Sequence, residues 1–160
     1  MVVLRSDRLW LRKLDASDAA FVESLYSSAQ VTRTLPRIQG PISLEEAKEF
    51  RQAPTRTAGD LRFGAALKAD GRLVALGSVR RRAETPSVAT IGYSAVPAIW
   101  GKGLWTELAG LLVEFAAGAL GALELQATTL DDNPASARVL AKLGFTVLKA
   151  GASEVDSRGN

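Results

Sequence analysis

The feature that most constrains this chain is a change of periodicity at a pair of glycines. Three extended segments, at 61–69, 72–82 and 88–96, precede the sequence PAIWGKGLWTE at 97–107. An apolar helical face follows, and after it the strand-like segment ELQATTL at 124–130. The helical face consists of Leu104, Leu108, Leu111, Leu112, Phe115 and Ala119. A strand–helix–strand unit of this length predicts two parallel neighbouring strands joined by a right-handed crossover.

The segments before the glycine pair predict an antiparallel meander and two helices. Asp70-Gly71 separates two of the extended segments and favours a hairpin with positive φ at both turn residues. Upstream, residues 3–13 are predicted to form one extended segment. Asp15 to Asp18 predicts a helix start, and Ser43 to Glu46 has the capping-box pattern that opens a second helix ending before Pro54.

The segments after residue 130 predict one more helix and one more strand. Asn133-Pro134 supplies an N-cap followed by proline at the first helical position, and Gly144 is suited to end the helix at 135–143. Residues 145–150 are then predicted to form the last strand. The predicted order, β-α-α-β-β-β-α-β-α-β, defines an α+β fold.

Composition excludes several kinds of chemistry. The chain has no cysteine and no histidine, which excludes disulfides, thiolate metal sites, a cysteine nucleophile and imidazole catalysis. The 20 basic and 17 acidic side chains give a net charge of +3, which mildly favours an anionic ligand without indicating nucleic acid binding. No segment approaches the roughly 20 apolar residues of a membrane span. We therefore expect one cytoplasmic domain, 1–160, with no membrane or nucleic acid partner.

Two interpretations of Gly101-Lys102-Gly103 are open from the residues alone. The first amides of a helix lack intrahelical partners, and glycines placed there let a phosphate approach the backbone. A tight strand-to-helix turn without a ligand favours the same glycines. A Walker loop is excluded because its spacing and its Lys-Ser/Thr ending are absent. A dinucleotide fingerprint is excluded because position 106 is threonine and the turn follows the fourth predicted strand.

Two linked motifs resemble the GNAT superfamily of N-acetyltransferases, and most of all its branch of Rim-type, ribosomal-protein-alanine N-acetyltransferases. The motifs are Ile91-Gly92-Tyr93, Pro97, Trp100-Gly101-Lys102-Gly103 and Thr106-Glu107, then Asn133, Ser136, Arg138-Val139-Leu140 and Lys142-Leu143-Gly144-Phe145. The resemblance covers about residues 4–148 and leaves 151–160 as a polar tail. It implies a mixed, mostly antiparallel twisted sheet that is splayed at a β-bulge, flanked by about four helices and closed by a shortened C-terminal hairpin.

The resemblance also implies a site for acetyl-CoA and no metal. The sheet would open near Ala95-Val96-Pro97, where proline ends the pairing and free backbone groups hydrogen-bond the pantetheine arm. The amides from 101 to 106 would hold the pyrophosphate. The cofactor-binding residues implied are Ala95, Val96, Gly101, Lys102, Gly103, Leu104, Trp105, Thr106 and Asn133. Asn133 is equally suited to a helix cap, Trp105 to packing and Lys102 to a solvated surface.

The implied reaction is direct acetyl transfer, in a ternary complex, to a primary amine of a protein N-terminus or a small molecule. Ser136 is the implied catalytic residue, which would hydrogen-bond or protonate the departing thiolate. Thr90 stands where many relatives carry an acidic residue, and Glu84, Glu107 and Asp131 are the other carboxylates considered as bases. The alternative is a CoA-binding module with little activity that serves as a sensor or partner subunit, and a homodimer is left open.

Overall fold

The computed structural model describes residues 2–35, 41–52, 60–130 and 133–147, which form a six-stranded sheet with helices on both faces. The strands are β1 (Val2–Arg5), β2 (Leu9–Lys13), β3 (Asp60–Leu67), β4 (Leu73–Arg81), β5 (Val88–Ala95) and β6 (Glu124–Ala127). The helices are α1 (Ala19–Ser27), α2 (Ala29–Thr32), α3 (Leu44–Gln52), α4 (Leu104–Gly118) and α5 (Pro134–Lys142). Strand order follows chain order, and every neighbouring pair is antiparallel except β5–β6. The α+β class, the meander and the parallel crossover pair are confirmed.

Each face of the sheet has its own apolar core. On one face α4 packs its predicted apolar stripe against the strands, and Leu108 and Leu112 have no exposed surface. On the other face α1 and α3 pack together, with Val22 and Ala47 fully buried between them and the sheet. The central strands are therefore covered on both sides, so an opening between two of them connects the two layers. No helix among the described residues is long and apolar enough to cross a membrane.

Three predicted helix starts are confirmed by side-chain caps. Asp15 Oδ1 accepts from the Ser17 amide at 2.8 Å, at a 3₁₀ turn that leads into α1. Ser43 Oγ accepts from the Glu46 amide at 3.2 Å at the start of α3. Asn133 Oδ1 closes the start of α5 in the same way. Each cap satisfies a backbone donor that the helix itself leaves without a partner.

The predicted single strand at 3–13 is wrong, because a turn at residues 6–8 divides it into β1 and β2. The Ser6 amide donates to Leu9 O at 3.0 Å, and Ser6 Oγ accepts from the Leu9 amide at 3.1 Å. These two bonds reverse the chain, so β1 becomes an additional edge strand. The turn carries Arg8 toward the start of α4.

Two further local predictions need correction. The β3–β4 link is wider than a two-residue turn: it spans residues 68–72, with Gly71 at φ +76° and its amide bonded to Leu67 O at 2.8 Å. Residues 145–147 belong to no strand, because the Phe145 amide turns back to Leu140 O at 3.0 Å to close α5. The rest of that predicted strand and the polar tail lie outside the described residues.

Candidate active site

The candidate site lies where β5 and β6 separate. Their parallel pairing ends at Ile91 and Ala127, whereas β5 stays paired with β4 in an unbroken register as far as Ala95. The part of β5 from 92 to 95 therefore has β4 on one side and no continuation of β6 on the other. This opening lies earlier in the strand than the predicted position at 95–97, and no bulge interrupts the pairs that β5 makes with β4.

The alternation of the ladder decides which backbone groups of β5 face the opening. Ser87 O accepts amide hydrogen bonds from the chain entering β6, whereas the Val96 amide donates to Val74 O of β4 at 3.0 Å. Successive residues of a strand direct their polar groups to opposite neighbours. Tyr93 and Ala95, which share the direction of Ser87, therefore direct their amides and carbonyls into the opening.

Not all the backbone groups predicted to be free are free. The Val96 amide is occupied by β4, and the carbonyl of Ala95 accepts a hydrogen bond from Trp100 Nε1 at 2.9 Å. The predicted Ala95 amide faces the opening, and both polar groups of Tyr93 join it there. The strand edge that can bind an extended ligand therefore runs from Tyr93 to the Ala95 amide, and not from Ala95 to Val96 as predicted.

A cavity of about 340 Å³ passes through this opening and reaches both layers of the fold. Tyr93, Trp105 and Ser136 line it on the side of α4 and α5, and Tyr26 and Arg62 line it on the side of α1 and α3. Its volume is at the small end of the range for small-molecule sites. Two ligands entering from opposite faces of the sheet would meet inside it.

Two hydroxyl groups are hydrogen-bonded to each other within the cavity. Tyr93 Oη and Ser136 Oγ are 3.0 Å apart, although the residues come from β5 and the first turn of α5. Ser136 is only 7% exposed. Burial raises the pKa of the Tyr93 phenol and the bond to Ser136 opposes part of that rise, so the phenol remains protonated at neutral pH. The structure thus places a second hydroxyl, to which the sequence analysis assigned no role, next to the predicted Ser136.

Asn133 holds the start of α5 next to this pair. Its side-chain oxygen accepts the Ser136 amide at 3.2 Å, and its Nδ2 donates to Thr34 O at 3.4 Å across the cavity wall. Asn133 is 9% exposed and lines the cavity. The predicted capping role is confirmed, and the same residue also connects the two sides of the site.

The glycine pair forms the turn into α4, and both glycines have left-handed backbone conformations. Gly101 has φ +74° and Gly103, the N-cap residue, has φ +78°. An added Cβ would meet nothing within 4 Å at Gly101, so the backbone angle itself favours glycine there. Within the described part of the chain the amides of Leu104 to Thr106 have no capping side chain, and the first bond of the helix is donated by Glu107. This is the positive end of a 15-residue helix, whose first amides are directed outward from the turn.

An ion-paired cluster anchors that helix start to the β1–β2 turn. Glu107 accepts from Ser6 Oγ at 2.7 Å and from the Arg8 side chain at 2.5 Å, and Arg8 Nη1 donates to Lys102 O at 2.9 Å. Desolvation alone would raise the pKa of Glu107, but these hydrogen bonds outweigh it and hold the pKa below its usual value. Glu107 therefore remains charged as a structural anchor, outside the cavity, and Arg8 adds a cation beside the glycine turn.

The residues present fit an acetyl-CoA site on observations from both ends of the cleft. Trp105 Nε1 is a buried donor with no partner among the described residues, and its side chain lines the cavity. Buried donors are normally satisfied, so an unpaired one in a cavity wall indicates a missing acceptor. The open β5 edge and the α4 amides without a capping side chain supply further hydrogen-bond donors.

The other side of the cavity is charged in a way that the sequence analysis did not foresee. Asp60, Arg80 and Thr90 are directly paired across β3, β4 and β5, and all three line the cavity. Arg62 adjoins them. The family motif drew attention to Thr90 alone of this row, since a cross-strand row depends on register rather than on spacing in the chain.

Of the three carboxylates considered as bases, the two that the structure describes do not line the cavity. Glu107 is held in the anchor described above, Glu84 lies in the turn between β4 and β5, and Asp131 lies outside the described residues. Asp60 is the acidic residue among the described lining residues. No group of three or more acidic side chains in the described ranges is placed to hold a metal ion.

Comparison with known proteins agrees with this architecture. Residues 8–146 match the acetyltransferase (GNAT) domain model. The chain is 30% identical over 146 residues to YoaA, an uncharacterized N-acetyltransferase of Bacillus subtilis, a match that covers 89% of this chain and 82% of that protein.

Solved structures share the fold at lower identity. A GNAT-family acetyltransferase from Bacillus anthracis superposes with a TM-score of 0.79 at 21% identity, over 93% of this chain and 86% of that one. The spermidine N-acetyltransferase of Vibrio cholerae, in complex with CoA and spermine, superposes with a TM-score of 0.78 at 18% identity, over 88% and 82% of the two chains. The present chain therefore belongs to the GNAT family of N-acetyltransferases, and its acetyl donor is acetyl-CoA.

Proposed function

We propose that this enzyme transfers the acetyl group directly from acetyl-CoA to a primary amine while both are bound. The observation that carries the proposal is the single cavity that passes between β5 and β6 and contains the Tyr93–Ser136 pair. A donor bound along one side and an amine entering from the other would meet at these hydroxyls. Because the chain has no cysteine, no cysteine-bound acetyl intermediate is available.

The cofactor would be held by residues from three elements. The amides of Leu104, Trp105 and Thr106, with the turn from Gly101 to Gly103, would bind the pyrophosphate, and Lys102 and Arg8 would add positive charge. The edge of β5 at Tyr93 would hydrogen-bond the pantetheine arm, and the Ala95 amide would face the thioester. Val96 would contribute apolar surface, Trp105 Nε1 a further donor and Asn133 the opposite wall. When bound, acetyl-CoA supplies an activated thioester.

Three proton and charge requirements accompany the transfer. A C–N bond forms to the amine as the C–S bond breaks, so the amine loses a proton and the departing sulfur gains one. The Ala95 amide, directed into the opening, is suited to stabilise charge on the carbonyl oxygen. Ser136 would donate the proton to sulfur and take one from Tyr93, and the Tyr93 phenolate would then regain a proton from water. The raised pKa of Tyr93 keeps the phenol in its acid form before the transfer.

The base is the least direct part of the arrangement. Thr90 lies on β5, the strand that borders the opening, and Asp60 lies two strands away from it on β3. This corresponds to about 10 Å at the usual strand spacing. Asp60 would therefore receive the proton of the amine through water. This distance also favours the second candidate function, a CoA-binding module with little activity, because the described wall offers no carboxylate next to the hydroxyl pair.

The proposal is tested by Ser136→Ala, Tyr93→Phe and the double variant, with CoA release measured on a panel of amines and N-terminal peptides. We expect each single variant to lower kcat by roughly 10²- to 10⁴-fold, with little change in acetyl-CoA affinity, because the hydroxyls act on the departing thiolate. The double variant should be no worse than the poorer single one, since the two groups form one relay.

Tyr26→Phe is the matched control. Tyr26 Oη also lies near a serine hydroxyl, Ser94 Oγ at 3.3 Å, but on the opposite face of the sheet. Because Tyr26 lines the acceptor side of the cavity, its loss is expected to change the KM for the amine, whereas kcat at saturating amine should stay close to that of the wild type. Wild-type kcat in the Ser136→Ala and Tyr93→Phe variants would remove the relay from the mechanism. Tight acetyl-CoA binding without turnover on any acceptor would favour the binding module.

A further inference from the structure

The side of the cavity that faces α1 and α3 carries more positive than negative charge. Of its described lining residues, Arg62 and Arg80 are cationic and Asp60 is anionic. Arg80 is paired with Asp60 on β3 and with Thr90 on β5, so it lies in the middle of the row that crosses the cavity. An acceptor that enters from this side meets these groups before it reaches the Tyr93–Ser136 pair.

Arg62 is already satisfied by the protein. Its Nη2 lies 3.3 Å from Asp60 Oδ2, its Nη1 donates to Phe50 O at 2.8 Å, and its guanidinium carbon is 3.9 Å from the centre of the Phe50 ring. The guanidinium thus has an ion pair, a backbone acceptor and an aromatic face. The ion pair with Arg62 also balances the negative charge of Asp60.

Among the described residues, Arg80 is the cation of this wall that has no partner. In the described ranges no carboxylate lies within 4 Å of its guanidinium and no hydrogen bond engages it. Burial lowers its pKa, Asp60 opposes this from a distance, and Arg82 and Arg62 add repulsion. A partly desolvated guanidinium without a partner gains free energy from an anion, and its planar fork matches a carboxylate in two parallel hydrogen bonds.

We propose that Arg80 binds a carboxylate of the acceptor, so that the substrate is a small amine of the amino-acid class. The inference rests on the proposed acetyl transfer and specifies its acceptor. The row of Arg80 lies two residues from Gly92, where β5 leaves β6, which is about 7 Å along the strand and within the reach of an arginine side chain. A carboxylate held there leaves the amine of the same molecule pointing toward the opening.

The same observations disfavour two other acceptors. A polyamine needs several carboxylates, whereas the described wall offers Asp60, which Arg62 already engages. A protein N-terminus carries no carboxylate beside its amine and brings a following chain, whereas a cavity of about 340 Å³ suits a small molecule.

The test compares the standard L-amino acids with their C-terminal amides, alongside spermidine and N-terminal peptides, on wild type, Arg80→Gln and Arg80→Lys. CoA release gives kcat/KM for each acceptor. We expect the best amino acids to exceed their amides by about 10- to 100-fold in the wild type, and Arg80→Gln to abolish this preference without slowing the amides. Arg80→Lys should restore part of it. Arg82→Gln, which changes an exposed neighbour outside the cavity, should resemble the wild type.

Calorimetric binding of the same amino acids and amides to the enzyme–CoA complex keeps this inference separate from the acetyl transfer itself. Amino-acid binding that Arg80→Gln removes would support the inference even if no acceptor turns over, a result that would count against the proposed function alone. Equal turnover of acids and amides, a preference for spermidine or peptides, or an acid preference that survives Arg80→Gln would overturn the inference and leave the acetyl transfer standing.

Discussion

Replacing Gly103 with aspartate places a carboxylate at the start of α4, where we propose that the pyrophosphate binds. A Cβ at this position would lie 3.2 Å from Arg8 Nη2, which is the flexible end of a side chain that is about half exposed. Asparagine has nearly the same shape and also tolerates φ +78°, the angle of Gly103. Gly103→Asp and Gly103→Asn therefore differ by one charge at closely similar backbone cost, which makes them a matched pair.

The expected difference follows from Coulomb's law. An anion seated on the first amides of α4 would lie roughly 5 Å from the new carboxylate, so one like-charge contact costs about 1–3 kcal/mol at an effective dielectric constant between about 80 and 20. This corresponds to CoA affinity about 5- to 150-fold weaker in Gly103→Asp than in Gly103→Asn. Pairing of the new carboxylate with Arg8 would neutralise a cation beside the turn and act in the same direction.

Isothermal titration with CoA measures both affinities, and thermal unfolding verifies that both variants fold. The gap between the variants should narrow as salt is raised, because an exposed charge is screened. Equal affinities for the aspartate and asparagine variants, in folded proteins at low salt, would refute the assignment of the pyrophosphate to this turn.

Two further predictions concern the elements that frame the site. Asn133→Ala should cost about 1 kcal/mol of stability, because the helix cap is lost, and should raise the KM for acetyl-CoA. Asn133→Ser should restore the stability but not the KM. A wild-type KM in the serine variant would confine the role of Asn133 to capping. Asp18 is ion-paired with Arg12 at 2.7 Å: desolvation alone would raise the pKa of Asp18, but hydrogen bonds from Arg12 and a backbone amide lower it overall. The stabilisation that the ionised Asp18 gives the fold is therefore present at neutral pH and lost as the pH falls through the folded-state pKa. Asp18→Asn should lower the free energy of unfolding by roughly 1–3 kcal/mol at pH 7, and by progressively less below about pH 4, as measured by denaturant unfolding. A loss of stability independent of pH would contradict the ion pair.

Local chemistry made much of the fold predictable. A helix cap, a proline at the first helical position and a glycine with positive φ each act within a few residues, so the sequence alone shows where α5 begins and where the turn at Gly101 and Gly103 must lie. The apolar stripe of α4 is likewise a property of spacing within one helix. Ser136 belongs to the family motif that also contains Asn133, the residue that starts α5.

The groups that surround the proposed reaction depended on contacts between distant parts of the chain. Tyr93 meets Ser136 over 43 positions, and Arg8 reaches Glu107 over 99, through packing that no local pattern encodes. The row that contains Arg80 depends on the register of three strands, and a shift by one residue would turn its side chain to the other face.

The sequence by itself determined the order of the elements, the glycine turn and the family motifs, because each depends on interactions within a few residues. The tertiary structure decided where β5 and β6 part, that the Val96 amide is already bonded to β4, and that Arg80 has no partner among the described residues of the cavity wall. These features depend on strand register and on which charges are brought together, and both are settled only when the sheet and its two helical layers pack.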